Sequence, residues 1–276
     1  MSLRHTQNDT VYYTYNDDKT LPVIIMIHGF RGTHHGLDLI ALNLNGFRVI
    51  VPDLPGFGES AAFNSEHSVN NYVIWLKDFI KSLNLTEPPI LFGHSFGSIV
   101  TSFYASQYPN TIKKLVLVNP IGAPATSGPK AIMTKLALFY YWLGVKLPEV
   151  IAKPLLSSKL VIITMSTTMA KTKDKSLRKY IHKQHLMYFN SFVSRKAVTE
   201  AFKASIGYNV RDVATKIITP TLLIVGDQDD ITPLKMQQEL QKMITNSKIK
   251  IINKTGHLTH YEAPTVVADA IKAFVF

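Results

Sequence analysis

There is no cysteine among the 276 residues, which excludes both a disulfide framework and a Cys-ligated metal site. Acid is scarce: 19 Asp and Glu stand against 30 Lys and Arg, a net charge of +11. Such an imbalance raises nucleic acid, an anionic membrane surface or an acidic ligand as a partner. Long apolar runs are missing too. The longest uncharged apolar stretch of note, Leu136–Val145, reads LALFYYWLGV, far short of the roughly 20 residues that span a bilayer. The opening residues Met1–Thr10 hold no apolar core of a secretory signal, and neither end carries a lipidation signal. The expectation is a cytoplasmic protein. Repeats and low-complexity segments are also absent, whereas apolar residues make up 46% of the chain, with 12 Tyr and 14 Phe. That content excludes a disordered chain and is enough to bury a sizeable core.

The organisation follows from where the apolar residues fall. Val23–His28, Arg48–Pro52, Ile90–Phe92, Lys114–Val118 and Thr221–Val225 are short, nearly continuous apolar runs. Runs of that kind are strands buried on both faces of a parallel sheet. Lys248–Ile252 alternates apolar and basic residues, as a strand nearer the sheet edge does, and Thr10–Tyr15 after Asn8-Asp9 reads as one arm of an antiparallel edge hairpin. Helical patterns lie between them at 70–83, 96–108, 233–244 and 264–276. Between Pro120 and Asp212 the alternation stops, and helix-like runs separated by Gly and Pro replace it. The expected fold class is therefore α/β, with a mostly parallel central sheet flanked by helices and an inserted helical segment.

Gly93-His94-Ser95-Phe96-Gly97 follows one of these strands and precedes a helix. In that context G-x-S-x-G is a nucleophile elbow: the serine sits on a tight turn at the carboxyl edge of the sheet, with the positive end of the next helix beside it. The chain here resembles the α/β-hydrolase superfamily, in its serine-nucleophile, carboxylesterase-like branch with a helical cap. His28-Gly29-Phe30 ends a strand as the family's oxyanion turn does, and Val51–Ser60, VPDLPGFGES, resembles the family's fourth-strand turn. The resemblance implies an α/β-hydrolase core at residues 1–120 and 213–276, interrupted by a cap at 121–212.

A serine hydroxyl is a poor nucleophile without a positioned base. Ten histidines compete for that role, and the resemblance implies His257, on the loop before the last helix. His260 reads as a packing or capping residue, His28 and His94 as scaffold groups, and His182 and His185 as a basic face of a cap helix rather than metal ligands. The base needs a carboxylate to fix its tautomer. Asp227, Asp229 and Asp230 all follow the strand Thr221–Val225; the family pattern selects Asp229 and leaves turn chemistry to the other two. The oxyanion hole implied is the backbone N–H of Phe30 and of Phe96.

These residues imply a serine hydrolase that cleaves carboxylic esters through an acyl-enzyme, with no metal or organic cofactor. Aromatic residues in the cap, Phe139–Trp142 and Tyr188–Phe192 among them, either line an apolar substrate pocket or pack the cap onto the core. Two other readings stand beside the esterase. A carbon–carbon bond hydrolase of ring-cleavage products would share triad and cap, though GHSFG lacks the Asn expected before the serine in that group. A silent binding module would have lost a triad residue, and none is lost. Residues 121–212 hold fifteen Lys and Arg against Glu149, Asp174, Glu200 and Asp212. The rest of the chain is neutral, so the whole +11 belongs to this segment, densest over Lys171–Lys183. No nucleic-acid reading module is present. The basic segment is a solvated face, a funnel for anionic esters, or a peripheral membrane contact beside LALFYYWLGV.

Overall fold

A computed structural model of the protein describes residues 2–124 and 131–276, with side chains from 134 in the second segment; Met1 and Lys130, the latter part of the charge count above, lie outside them. Eight strands form one sheet: β1 (Ser2–Gln7), β2 (Thr10–Tyr15), β3 (Val23–Ile27), β4 (Arg48–Pro52), β5 (Ile90–His94), β6 (Lys114–Val118), β7 (Thr221–Gly226) and β8 (Ser247–Ile252). Their spatial order is β1-β2-β4-β3-β5-β6-β7-β8. Only β2 runs antiparallel to its neighbours, and every other pair is parallel.

Both faces of the central strands are covered, which is why they read as continuous apolar runs. Successive side chains point to opposite sides. Ile25, Ile27, Leu91, Leu115, Leu117 and Leu223 thus join one core layer, while Ile24, Met26, Phe92, Val116, Val118 and Ile224 join the other. The first layer packs on α2 (Val69–Ser82) and α3 (Phe96–Gln107), the second on α1 (Asp38–Ala41) and α11 (Pro264–Val275). In α2, Val69, Tyr72, Val73, Leu76 and Phe79 form the i, i+3, i+4, i+7 stripe that faces the sheet, and the Ser68 hydroxyl accepts the Asn71 amide at its start. β8 lies at the sheet edge and keeps its alternating pattern.

The described residues between β6 and β7 hold five α-helices and no strand: α4 (Ala131–Lys146), α5 (Glu149–Leu156), α6 (Lys159–Met169), α7 (Lys175–Tyr188) and α8 (Arg195–Gly207), followed by two short 3-10 turns. Local chemistry divides them. Pro148 precedes α5, Ser157-Ser158 separates α5 from α6, and Asp174 and Ser194 cap α7 and α8 through their side chains. α9 (Leu234–Met243) and α10 (Thr259–Glu262) follow β7 and β8.

Candidate active site

Ser95 occupies the junction of β5 and α3 with φ +51° and ψ −117°, a backbone conformation that costs a non-glycine residue roughly 1–3 kcal/mol. The flanking glycines make the turn geometrically feasible. A Cβ on Gly97 would fall 2.3 Å from the Ile27 carbonyl oxygen, and one on Gly93 would fall 2.5 Å from that of Gly97. Only hydrogen at both positions lets α3 start hard against the end of β3. The result is a half-buried hydroxyl at the carboxyl edge of the sheet, held below by Ser95 N–H donating to Val118 O at 3.1 Å.

His257 reaches this hydroxyl from the loop between β8 and α10. Ser95 Oγ lies 2.9 Å from His257 Nε2, and His257 Nδ1 lies 2.8 Å from Asp229 Oδ2. A carboxylate only accepts, so Nδ1 carries the proton and Nε2 is left free to accept from Ser95. Asp229 and His257 are 3% and 5% exposed. Burial alone would raise the Asp229 pKa, but His257 beside it, with hydrogen bonds from Thr232, holds it well below the usual carboxylate range. The acid therefore remains ionised beside the base.

Of the three acids after β7, only Asp229 touches His257. Asp227 Oδ1 accepts the Thr255 amide, and Asp230 pairs with Lys171. His28 and His94 are scaffold groups, as expected. His28 Nε2 accepts the Leu54 amide at 2.9 Å and its Nδ1 meets Gly29 O, while His94 Nε2 donates to the His257 carbonyl at 3.2 Å. His260 is buried on α10 against the His94 ring. The expectation of a basic face holds for His182, which lies among the lysines of α7, and needs correcting for His185. Both Nδ1 atoms converge on Ser166 Oγ, at 2.6 and 2.7 Å, and tie α7 to α6. His185 is 1% exposed, and burial with its neighbour His182 pushes its pKa down to about 3. It forms no basic face, because the buried side of α7 holds it neutral.

Three residues that shape the site were given no role by the sequence. Glu262 accepts the backbone amides of Gly256, Lys171 and Thr172 at 2.6–2.7 Å, joining the His257 loop to the α6–α7 connection. Asp53 is fully buried and accepts the His34 amide, His34 Nδ1 and the Glu59 amide, stapling two loops beneath the site. Arg31 follows the Gly29-Phe30 turn with φ +58° and is 1% exposed. Its guanidinium donates to Phe189 O, Leu156 O, Asn190 Oδ1 and Tyr141 Oη. An acid inside the apolar run VPDLPGF was a legible sign of burial. Arg31 gave no such sign, since its partners lie more than 100 residues away.

Gly29 packs so closely on the elbow that a Cβ there would lie 3.2 Å from Ser95 Cβ, which brings the Gly29-Phe30 turn beside the hydroxyl. Ser95, Phe30 and Phe96 line one cavity of about 700 Å³ with His257. Its walls are mostly apolar, including Leu136, Val161, Met165, Ile206 and Met236, with Thr164, Thr168, Gln184 and Ser205 among them. The aromatic residues of α4 divide: Tyr140 and Tyr141 line this cavity, whereas Phe139 and Trp142 are 57% and 52% exposed. The latter two neither line the pocket nor pack the insertion onto the core.

The family model described as alpha/beta hydrolase fold matches residues 22–264. Lipase 3 of Moraxella sp. (strain TA144) is 25% identical over 281 residues, covering 99% of this chain and 83% of that protein. Monoacylglycerol lipase ABHD6 of Rattus norvegicus is 26% identical over 257 residues, covering 92% and 75%. Among solved structures, an esterase from Exiguobacterium antarcticum superposes with a TM-score of 0.77 at 18% identity, over 100% of this chain and 99% of that one. That last likeness concerns the fold.

Proposed function

Because the chain belongs to the α/β-hydrolase family, we propose that it is a serine hydrolase of carboxylic esters with Ser95, His257 and Asp229 as its triad. The observation that carries this reading is the hydrogen-bonded line Asp229–His257–Ser95, at 2.8 and 2.9 Å, on the floor of an apolar cavity. The lipases it is similar to in sequence support ester chemistry.

Ser95 Oγ attacks the ester carbonyl carbon as its proton passes to His257 Nε2. The tetrahedral oxyanion accepts from the Phe30 and Phe96 amides, each such donor being worth about 10²–10³ in turnover. The bond to the alcohol oxygen breaks, and that oxygen takes the proton from His257. Water then attacks the acyl-enzyme, giving a proton to His257; the Oγ–acyl bond breaks, Ser95 recovers its proton and the carboxylic acid leaves. Asp229, kept ionised, stabilises the imidazolium formed twice in each cycle. No step calls for a metal or organic cofactor. Residues 121–212 act as the cap, whose aliphatic and Met side chains accept an apolar acyl or alcohol group.

A fluorophosphonate probe and a p-nitrophenyl ester series test this directly. The wild type is expected to be labelled and to turn over esters, Ser95→Ala to lose both properties, and His257→Ala to lose ester turnover. Equal labelling of Ser95→Ala overturns the assignment. Silence on esters, with turnover of a vinylogous diketone acid, would transfer the site to carbon–carbon hydrolysis.

A further inference from the structure

The inserted helices leave an unusual amount of apolar surface in water. On α4, Leu136, Phe139, Trp142 and Val145 are each more than half exposed, and Phe139 stacks on Trp142. On α5 and α6, Val150 is 80% and Leu160 76% exposed. The stretch Glu149–Met169, which Lys153 and Lys159 keep from being an uncharged run, is nevertheless long and apolar enough by composition to cross a membrane, yet little of it is buried. It is broken at Ser157-Ser158. A spanning segment must satisfy its backbone without interruption, so this one suits a position along an interface.

Next to the exposed Leu160 runs a basic groove between α6 and α7, lined by Lys159, Lys175, Arg178, Lys179, His182 and Lys183 together with the apolar Leu186 and Met187. Among the described residues, none of its four lysines or Arg178 has a carboxylate within ion-pairing distance. The nearest acid in sequence, Asp174, is occupied in accepting the Ser176 and Leu177 amides as the α7 cap. Lys175 and Arg178 also sit at the positive end of the α7 dipole, where cations are disfavoured and anions bind. On α4, Leu136 lines the catalytic cavity while remaining 57% exposed.

We infer that the α4–α7 face docks on an anionic phospholipid surface, with the α6–α7 groove on the lipid phosphates and the neighbouring apolar side chains in the acyl boundary. Charge complementarity selects this occupant. Residues 131–188 hold ten Lys and Arg against Glu149 and Asp174, so a second copy of the same face is repelled. A nucleic acid or a free phosphate would engage the lysines but leave Phe139, Trp142, Val150 and Leu160 in water. A bilayer interface satisfies both sets at once. The inference goes beyond ester hydrolysis and does not depend on chemistry at Ser95.

The test uses the full chain with vesicles of phosphatidylcholine alone and of phosphatidylcholine mixed with phosphatidylglycerol. Sedimentation is expected only with the anionic vesicles, weakening as salt is raised, and Trp142 emission is expected to shift to the blue, a shift absent in Trp142→Phe. The triple variant Lys175→Glu, Lys179→Glu, Lys183→Glu is expected to bind about 100-fold more weakly while hydrolysing a short soluble ester at the wild-type rate. Ser95→Ala is expected to sediment like the wild type. Equal partition onto neutral vesicles, an unchanged triple variant, complete displacement by inorganic phosphate, or a preference for an oligonucleotide over anionic vesicles would overturn the inference.

Discussion

Both oxygens of the Asp229 carboxylate are engaged before catalysis begins. Oδ1 accepts the Ile231 and Thr232 amides, and Oδ2 accepts Asn119 Nδ2, Thr232 Oγ1 and His257 Nδ1. In Asp229→Asn, either orientation of the amide places an NH₂ group against a donor and permits the wrong His257 tautomer. Turnover of p-nitrophenyl butyrate is expected to fall about 10⁴-fold. Thr232→Val removes one donor and leaves the charge, so urea denaturation should register a loss of about 1 kcal/mol with most of the activity intact. At this scale the sequence was informative only where a motif isolates one residue. Ser95 stands alone in its elbow, but Asp227, Asp229 and Asp230 crowd one turn, and only the contacts on the far sides of Asp227 and Asp230 explain why each is occupied elsewhere. Glu262 and Arg31 carry no sequence signal because most of their partners, backbone groups among them, lie far away in sequence.

Elements, unlike single contacts, were largely legible. Strands buried on both faces announce themselves as apolar runs, and β3 through β7 lie where those runs lie. α1 left no trace, since four residues from Asp38 to Ala41 are too few to show a period. The bounds of α4 to α6 were equally obscure. Helices that expose apolar residues have no single stripe from which to phase them, and Leu136, Phe139, Val150 and Leu160 face water. One polar contact between these helices and the core is Arg31, whose planar fork serves acceptors from three segments. Arg31→Met is expected to leave buried carbonyls of Leu156 and Phe189 without donors and to lower stability by about 3 kcal/mol, measured by denaturant unfolding. Arg31→Lys is not expected to restore it, because a point charge cannot reproduce the fork.

Over the whole molecule, buried neutral histidines set the response to acid. Burial, with the adjacent His257, pushes the His94 pKa down to about 3; burial, with His182, does the same to His185. An unfolded chain takes up these protons near pH 6.5. Stability is therefore complete above that pH and falls as pH drops from about 6.5 toward 3, since the unfolded state binds protons that the native state refuses. Thermal unfolding between pH 7 and 4 should show a falling Tm, and His185→Gln should reduce the slope by about one proton. Two contacts of the inserted helices differ in how they answer to acid. Arg31 grips α5 and the Phe189-Asn190 segment with a cation that keeps its charge at any pH the protein survives. α6 and α7 are joined by a serine between two histidines, a clasp that depends on neutral rings. Mild acid should then loosen the pairing of α6 with α7, while the guanidinium contacts to Leu156, Phe189 and Asn190 persist. Amide exchange at mild acid should accordingly rise in α6 and α7 before it rises in α5.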